Sequence, residues 1–185
     1  VLGLVEAAVG VVPSGGGVKE SYLRWYAHLG DWEQAAWNAW MKLGYAATGS
    51  SPELASRMQY FRQDHDETVM NRDRLLPRAI QLVTKMAASY TPPKPPKAEL
   101  APAALAEKMA GFMQDGVDRG DFMLHDKTVA MQIATIMVQS PDEDSLIDED
   151  GLFARERAAF IRLAKTPETH ARISAMLDDG APVRN

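Results

Sequence analysis

A lone glutamate followed by a glycine-rich turn is the part of this chain whose residue types could do chemistry. Glu6 lies in an apolar stretch, residues 5–12, and Pro13, Ser14 and three glycines follow. A carboxylate buried in such a stretch is costly to ionise, which suits proton transfer to or from a substrate carbon. The glycines can adopt backbone angles closed to other residues and can present N–H groups to a water or an oxyanion. The alternative is an exposed or capping glutamate beside an ordinary turn.

A short strand and a helix are the elements that must position these residues. The β-branched residues of 5–12 predict a short buried strand or strand end. The glycine turn predicts a helix beginning near Val18. Apolar residues at helical spacing then predict two amphipathic helices on either side of Gly30, with stripes made by Leu23, Tyr26, Ala27, Trp32, Ala36, Trp37 and Trp40.

The rest of the chain is also expected to be helical. Ser51 and Pro52 are typical of an N-cap and a first helical residue, and predict a short helix to about Tyr60. Residues 71–89 predict an amphipathic helix that starts near Asp73 or bends at Pro77. Further capping and breaking signals predict four more helices at about 103–119, 124–139, 150–165 and 167–179.

A proline-rich segment suggests how the chain is divided. Residues 91–97 contain four prolines, which favour a stiff extended spacer. We therefore expect a first unit at 1–90 with the strand, turn and first helices, a linker at 91–97, and a helical lobe at 98–185.

The tryptophans, methionines and histidines are better explained by structure than by chemistry. Four tryptophans between residues 25 and 40 favour core packing, with an apolar acyl pocket or a partner interface as the alternative. Methionines at helical spacing in 109–137 also favour core, although an acyl-chain channel stays open. His125 is expected near a helix start and His170 on an exposed face. The six carboxylates of 141–150 predict a solvated loop, because their order lacks that of a calcium loop, and no metal site is predicted.

Composition excludes several classes of function. The chain has 185 residues and a formal net charge of −5, which gives no basic surface for nucleic acid. No apolar run is long enough for a membrane span, and no signal peptide is recognisable. The absence of cysteine fits a cytoplasmic protein. Because the chain opens with Val1, we expect it to be part of a longer protein.

Several segments resemble one enzyme family. The segments are GVVPSGGGVKE at 10–20, VMNRDRLL at 69–76, YTPP at 90–93, FARERAAF at 153–160 and MLDDGAPVRN at 176–185. Together with Glu6 they resemble the crotonase (enoyl-CoA hydratase/isomerase) superfamily. They are most similar to the crotonase half of bacterial proteins that fuse it to a 3-hydroxyacyl-CoA dehydrogenase. The resemblance implies that this chain is a mainly α excerpt from the C-terminal part of an α/β crotonase-type domain.

The resemblance also implies roles for three residues. Glu6 matches the second of two glutamates that activate water in hydration of 2-enoyl-CoA, and would handle the proton at the α-carbon. Ser14 matches a glycine whose backbone N–H helps to hold that water, and Gly15 follows it in the same turn. The first glutamate and the oxyanion donors have no counterpart here, so the chain alone is expected to be inactive.

Cofactor and partner expectations come from the same resemblance. The substrate of the parent would be an acyl-CoA of fatty-acid β-oxidation, and NAD is implied only for its dehydrogenase part. No dinucleotide fingerprint is present, because the glycines at 15–17 lack the required spacing. A homo-oligomer formed through the C-terminal helices is expected. Two other interpretations stay open, a helical assembly module and a crotonase-fold isomerase or hydrolase.

Overall fold

Eight α-helices make up most of the computed structural model, which describes residues 1–185. In chain order they are α1 (Gly17–Leu29), α2 (Trp32–Gly44), α3 (Pro52–Ser56), α4 (Leu75–Ala87), α5 (Ala104–Asp118), α6 (Leu124–Met137), α7 (Glu149–Leu163) and α8 (Pro167–Asp179). The strands are short and antiparallel. β1 (Leu2–Gly3) pairs with β2 (Thr48–Gly49), and β3 (Lys97–Glu99) pairs with β4 (Leu146–Asp148), with Ala98 opposite Ile147.

Capping residues mark the beginning or the end of several helices. Asp31 accepts a hydrogen bond from the Gln34 backbone N at 2.8 Å before α2, and Ser51 accepts one from Leu54 N before α3. Left-handed glycines close α1 and α8, at Gly30 and Gly180. The predicted helices after residue 100 are confirmed to within two residues at each end.

The main hydrophobic core lies between α1, α2, α5, α6 and α7. Trp40 is 2% exposed in it and donates from Nε1 to the Ala130 carbonyl at 2.8 Å. Met109, Met113 and Met137 are buried in the same cluster, as their helical spacing predicts. This core draws residues from both sides of the proline-rich segment at 91–97. The division into units at 1–90 and 98–185 stays a prediction.

The predicted strand across 5–12 is wrong. Glu6–Val9 form one turn of 3₁₀ helix, in which Ala8 N bonds to the Val5 carbonyl and Gly10 N to the Ala7 carbonyl. Gly10 ends this turn at φ 86°, a left-handed conformation that glycine adopts without strain. The two alanines carry no β-branch, so the local preference for a strand is weaker than the valines suggest. The only N-terminal strand is β1, which lies before Glu6.

Three other expectations differ in detail. The helix after Ser51 ends at Ser56 rather than near Tyr60. The acidic segment 141–150 contains β4 and is not wholly a loop. The helix expected at 71–89 is present as a 3₁₀ turn followed by α4, yet none of its residues is buried. No helix in the structure has the length and apolar character to cross a membrane.

Candidate active site

Glu6 begins the 3₁₀ helix and is half-buried, and its carboxyl lacks a full set of partners. Oε2 of Glu6 is buried without a hydrogen bond. The hydroxyl of Tyr60 is likewise buried and unpaired. Burial raises the pKa of Tyr60 to about 12, and the negative charge of Glu6 adds to the rise. An unpaired buried carboxyl oxygen is costly, so its presence favours a function over a purely structural role.

The glycine-rich turn presents free backbone donors beside this region. Gly15 and Gly16 have φ values of 87° and 103°, which side-chain-bearing residues rarely adopt. Ser14 and Gly15 are exposed, and their N–H groups form no hydrogen bond within the chain. These two N–H groups can therefore hold a water or an anionic oxygen.

The donors at the start of α1 are already occupied by a buried glutamate. Glu156 of α7 is 0% exposed, and its two carboxyl oxygens accept from Gly16 N at 2.6 Å and Lys19 N at 2.7 Å. Burial raises the pKa of Glu156, although the N–H groups of Lys19, Gly16 and Val18 and the Lys19 charge oppose the rise. Glu156 therefore occupies the N–H groups of Gly16 and Lys19, whereas those of Ser14 and Gly15 stay free to meet a ligand.

A second buried polar contact fixes the end of the Glu6 helix. The hydroxyl of Thr169 donates to the Gly10 carbonyl at 2.7 Å, and His125 Nε2 lies 2.9 Å from the same hydroxyl. Because the threonine proton is used on Gly10, Nε2 of His125 must be the donor to its oxygen. A Cβ at Gly10 would lie 2.7 Å from that oxygen, so the contact requires glycine.

A cleft of about 360 Å³, here called the Tyr60 cleft, lies between β1, the glycine turn and the start of α1. Polar side chains of Glu20, Ser21, Arg24 and Tyr60 line it together with the backbone of Gly15. Oγ of Ser21 and Nε of Arg24 are buried without hydrogen bonds, as is the Tyr60 hydroxyl. Of the three predicted site residues, Gly15 lines the cleft directly. Glu6, whose negative charge acts on the pKa of Tyr60, and Ser14 both lie outside its lining.

An apolar cavity of about 330 Å³, here called the Trp40 cavity, is lined in part by Ala7 and Ala8 of the Glu6 helix. Twelve of its 18 lining residues are hydrophobic, including Ala7, Trp40, Phe112 and Phe122. Asp126 and Arg172 form an ion pair at 2.7 Å in its wall. Its size and lining suit an apolar ligand chain, which is the alternative noted for the tryptophans. Trp40 thus belongs to the core and to this cavity.

The residues do not fit a dinucleotide. In dinucleotide-binding folds a pyrophosphate binds at a helix N-terminus that follows a glycine turn. Here the carboxyl of Glu156 occupies that position at 2.6 Å from Gly16 N. A phosphate would have to displace a buried acidic group. NAD therefore has no site at this turn.

Sequence reasoning missed the residues that hold the site together. Glu156, Thr169 and His125 belong to helices whose sequence patterns show only ordinary amphipathic faces. The sequence features that could have indicated them were a glutamate within FARERAAF, and a histidine and a threonine at helical positions where apolar residues are expected. Arg155, next to Glu156 on α7, pairs with Glu143 and donates to the Thr135 carbonyl at 2.6 Å.

Similarity to known proteins agrees in part with the family relation expected from the sequence motifs. A probable 3-hydroxyacyl-CoA dehydrogenase of Bacillus subtilis (strain 168) is 29% identical over 195 residues, in an alignment that covers 100% of this chain and 23% of that protein. The chain thus spans about a quarter of the length of this relative. No family model and no solved structure matches. The similarity supports a relation to the 3-hydroxyacyl-CoA dehydrogenases.

Proposed function

We propose that this chain is part of an enzyme of fatty-acid β-oxidation and carries half of an enoyl-CoA hydratase site of the crotonase type. The relation to a 3-hydroxyacyl-CoA dehydrogenase supports the pathway, since such an enzyme oxidises the product of hydration. The observation that carries the hydratase assignment is the buried, unpaired Oε2 of Glu6, together with the free N–H groups of Ser14 and Gly15 in the turn that follows it in the chain.

The proposed reaction adds water to the double bond of a 2-enoyl thioester. The water oxygen bonds to the β-carbon, one of its protons ends on the α-carbon, and a 3-hydroxyacyl thioester results. Glu6 handles the proton at the α-carbon, and the N–H groups of Ser14 and Gly15 hold the attacking water. The partner glutamate and the oxyanion donors would come from outside residues 1–185. Without them the chain alone has no measurable turnover.

Binding of the substrate would use both openings beside the Glu6 helix. The Tyr60 cleft offers polar groups that suit the thioester and water, and the Trp40 cavity offers an apolar wall that suits an acyl chain. NAD would serve the dehydrogenase part of the longer protein and has no role among these residues.

The test measures hydration of a 2-enoyl-CoA by the longer protein, and the reaction is monitored by ultraviolet absorbance. We expect Glu6→Gln, which keeps the shape and removes the acid, to lower kcat at least a hundredfold. Glu33→Gln is the matched control, because Glu33 is exposed on α2 and lines neither opening. Equal turnover in Glu6→Gln and wild type would contradict the assignment. Turnover of another thioester in place of hydration would favour an isomerase or a hydrolase.

A helical assembly module is the second candidate, favoured by one observation. Five large apolar side chains of α4 are more than half exposed: Leu75, Leu76, Ile80, Val83 and Met86. An apolar face of this kind commonly marks an interaction site, and a second copy of the chain is the proposed partner. Light scattering tests this candidate, and a monomer at every concentration would contradict it.

A further inference from the structure

Helix α7 contacts the glycine turn through one face. Glu149, Phe153 and Glu156 are spaced four and three residues apart, so their side chains lie along the same side of the helix. Each of them contacts the segment from Gly16 to Lys19. No other helix makes such a contact with the turn through buried polar groups.

The three contacts are of different kinds and converge on two residues. Glu156 accepts from the backbone N–H groups of Gly16 and Lys19 at 2.6 and 2.7 Å. Glu149 pairs with the Lys19 side chain, whose Nζ also lies 4.7 Å from the centre of the Phe153 ring. A Cβ at Gly16 would lie 3.3 Å from that ring, so Phe153 closes over the glycine.

These contacts determine where the free donors of the turn lie. Gly16, at φ 103°, is the residue through which Ser14 and Gly15 join α1. A carboxyl group that accepts two N–H groups at a helix start forms strong, directional bonds, and both are shielded here from water. The position of the Ser14 and Gly15 N–H groups therefore depends on a side chain 140 residues away from Gly16.

We propose that Glu156 is a positioning residue for hydration, which holds the glycine turn so that its free N–H groups meet the attacking water. This inference rests on the function proposed above. Glu156 touches no substrate and acts only through Gly16 and Lys19. Small displacements of a positioning group reduce turnover sharply, because the reacting atoms must be held in a narrow geometry.

The experiment compares Glu156→Gln with Leu163→Ala in the longer protein. Glutamine keeps the size of Glu156 but turns an NH2 group toward one of the two donors, so it disturbs the turn. Leu163 is buried in the same helix, 1% exposed, and makes no contact with the turn through a polar group. We expect Glu156→Gln to lower kcat about 10- to 100-fold with KM changed less than about threefold, and Leu163→Ala to leave kcat within about twofold.

A second measurement monitors the hydrogen bonds of the glycine turn directly, in the 185-residue chain. Amide hydrogen exchange of at least one of Gly16 and Lys19 should quicken about tenfold or more in Glu156→Gln, and both should exchange as in wild type in the exposed control variant Glu33→Gln. Unchanged exchange in Glu156→Gln would overturn the proposal. So would wild-type kcat in Glu156→Gln, or an equal loss in Leu163→Ala. If Glu6→Gln is fully active as well, the proposed function fails; if only Glu6→Gln is impaired, only the positioning role fails.

Discussion

Thr169 is the residue on which the end of the Glu6 helix depends most directly. Its hydroxyl bonds to the carbonyl of Gly10, the residue that closes the 3₁₀ turn. Both groups are buried, so water cannot replace the bond if the hydroxyl is lost. The contact joins α8 to the segment that carries the proposed acid.

Thr169→Val should therefore destabilise the fold. Valine keeps the shape of threonine but leaves the Gly10 carbonyl and His125 without a partner, and we expect a loss of about 1–3 kcal/mol in the free energy of unfolding. Urea unfolding measures it. Thr84→Val is the control, because Thr84 is exposed on α4 and should change stability by less than about 0.5 kcal/mol. Equal values for the two variants would contradict the role of Thr169.

His125 provides a prediction of pH dependence. Burial, and then the positive charge of Arg172, lower the pKa of His125 from its usual 6.5, against the opposing charges of Glu168 and Asp126. The folded chain thus binds a proton on His125 less tightly than the unfolded chain. Its contribution to stability is present above pH 6.5 and is lost as the pH falls through the folded-state pKa.

The His125 prediction is tested by NMR titration together with unfolding at several pH values. We expect the ring to titrate below pH 6.5, and the stability advantage of wild type over His125→Gln to shrink as the pH is lowered. A titration above 6.5 would show that Asp126 and Glu168 outweigh burial.

At the scale of elements, α7 and α4 differ in how they relate to the core. Leu152, Ala159 and Leu163 of α7 are buried, and the same helix also supplies Glu156. The residues of α4 form an apolar face that contacts little else in the chain. The strongly amphipathic pattern therefore predicted helix α4 correctly. It did not indicate whether the apolar face of that helix packs against the rest of the chain.

Substitutions on α4 should leave the stability of this chain unchanged. The double variant Ile80→Ser with Val83→Ser removes side chains that are 58% and 66% exposed, so we expect a change of less than about 1 kcal/mol in the free energy of unfolding. Leu43→Ala, at a fully buried position on α2, should cost about 2–5 kcal/mol in the same assay. A comparable loss in the double variant would mean that α4 packs against the core in solution.

The contact of α7 with α1 adds a pH dependence of its own. The folded-state pKa of Glu156 is raised above its usual 4.5, so the folded chain holds that proton more tightly than the unfolded chain. The associated stability is complete below pH 4.5 and is lost as the pH rises through the folded-state pKa. We expect unfolding experiments from pH 4.5 to 7 to show the free energy of wild type falling relative to that of Glu156→Gln. A constant difference would contradict it.

At the scale of the whole molecule, structure set by neighbouring residues could be predicted from the sequence, and contacts between distant residues could not. Helix starts at Ser51 and Pro167 follow from local capping and proline signals, and the structure confirms them. The strand predicted at 5–12 failed because Gly10 and its contact with Thr169 outweigh the preference of the valines. The residues that contact the glycine turn lie in α7, which is too far along the chain for a local sequence pattern to predict the contact.

The candidate site, like the fold, could be predicted only in part from the sequence. Glu6, Ser14 and Gly15 were selected from residue type and spacing, and stay predictions as site residues. The polar contacts that hold them, made by Glu156 and Thr169, were not foreseen. A relation to the 3-hydroxyacyl-CoA dehydrogenases was expected and is supported.

A crystal structure of the longer protein with a 3-hydroxyacyl-CoA bound would test the central claim most directly. We expect the Glu6 carboxyl to lie next to the α-carbon of the ligand and the Ser14 N–H to donate to its 3-hydroxyl oxygen at about 3 Å. A thioester bound elsewhere, with Glu6 facing only Tyr60 and the Ser14 N–H facing solvent, would contradict the proposed function.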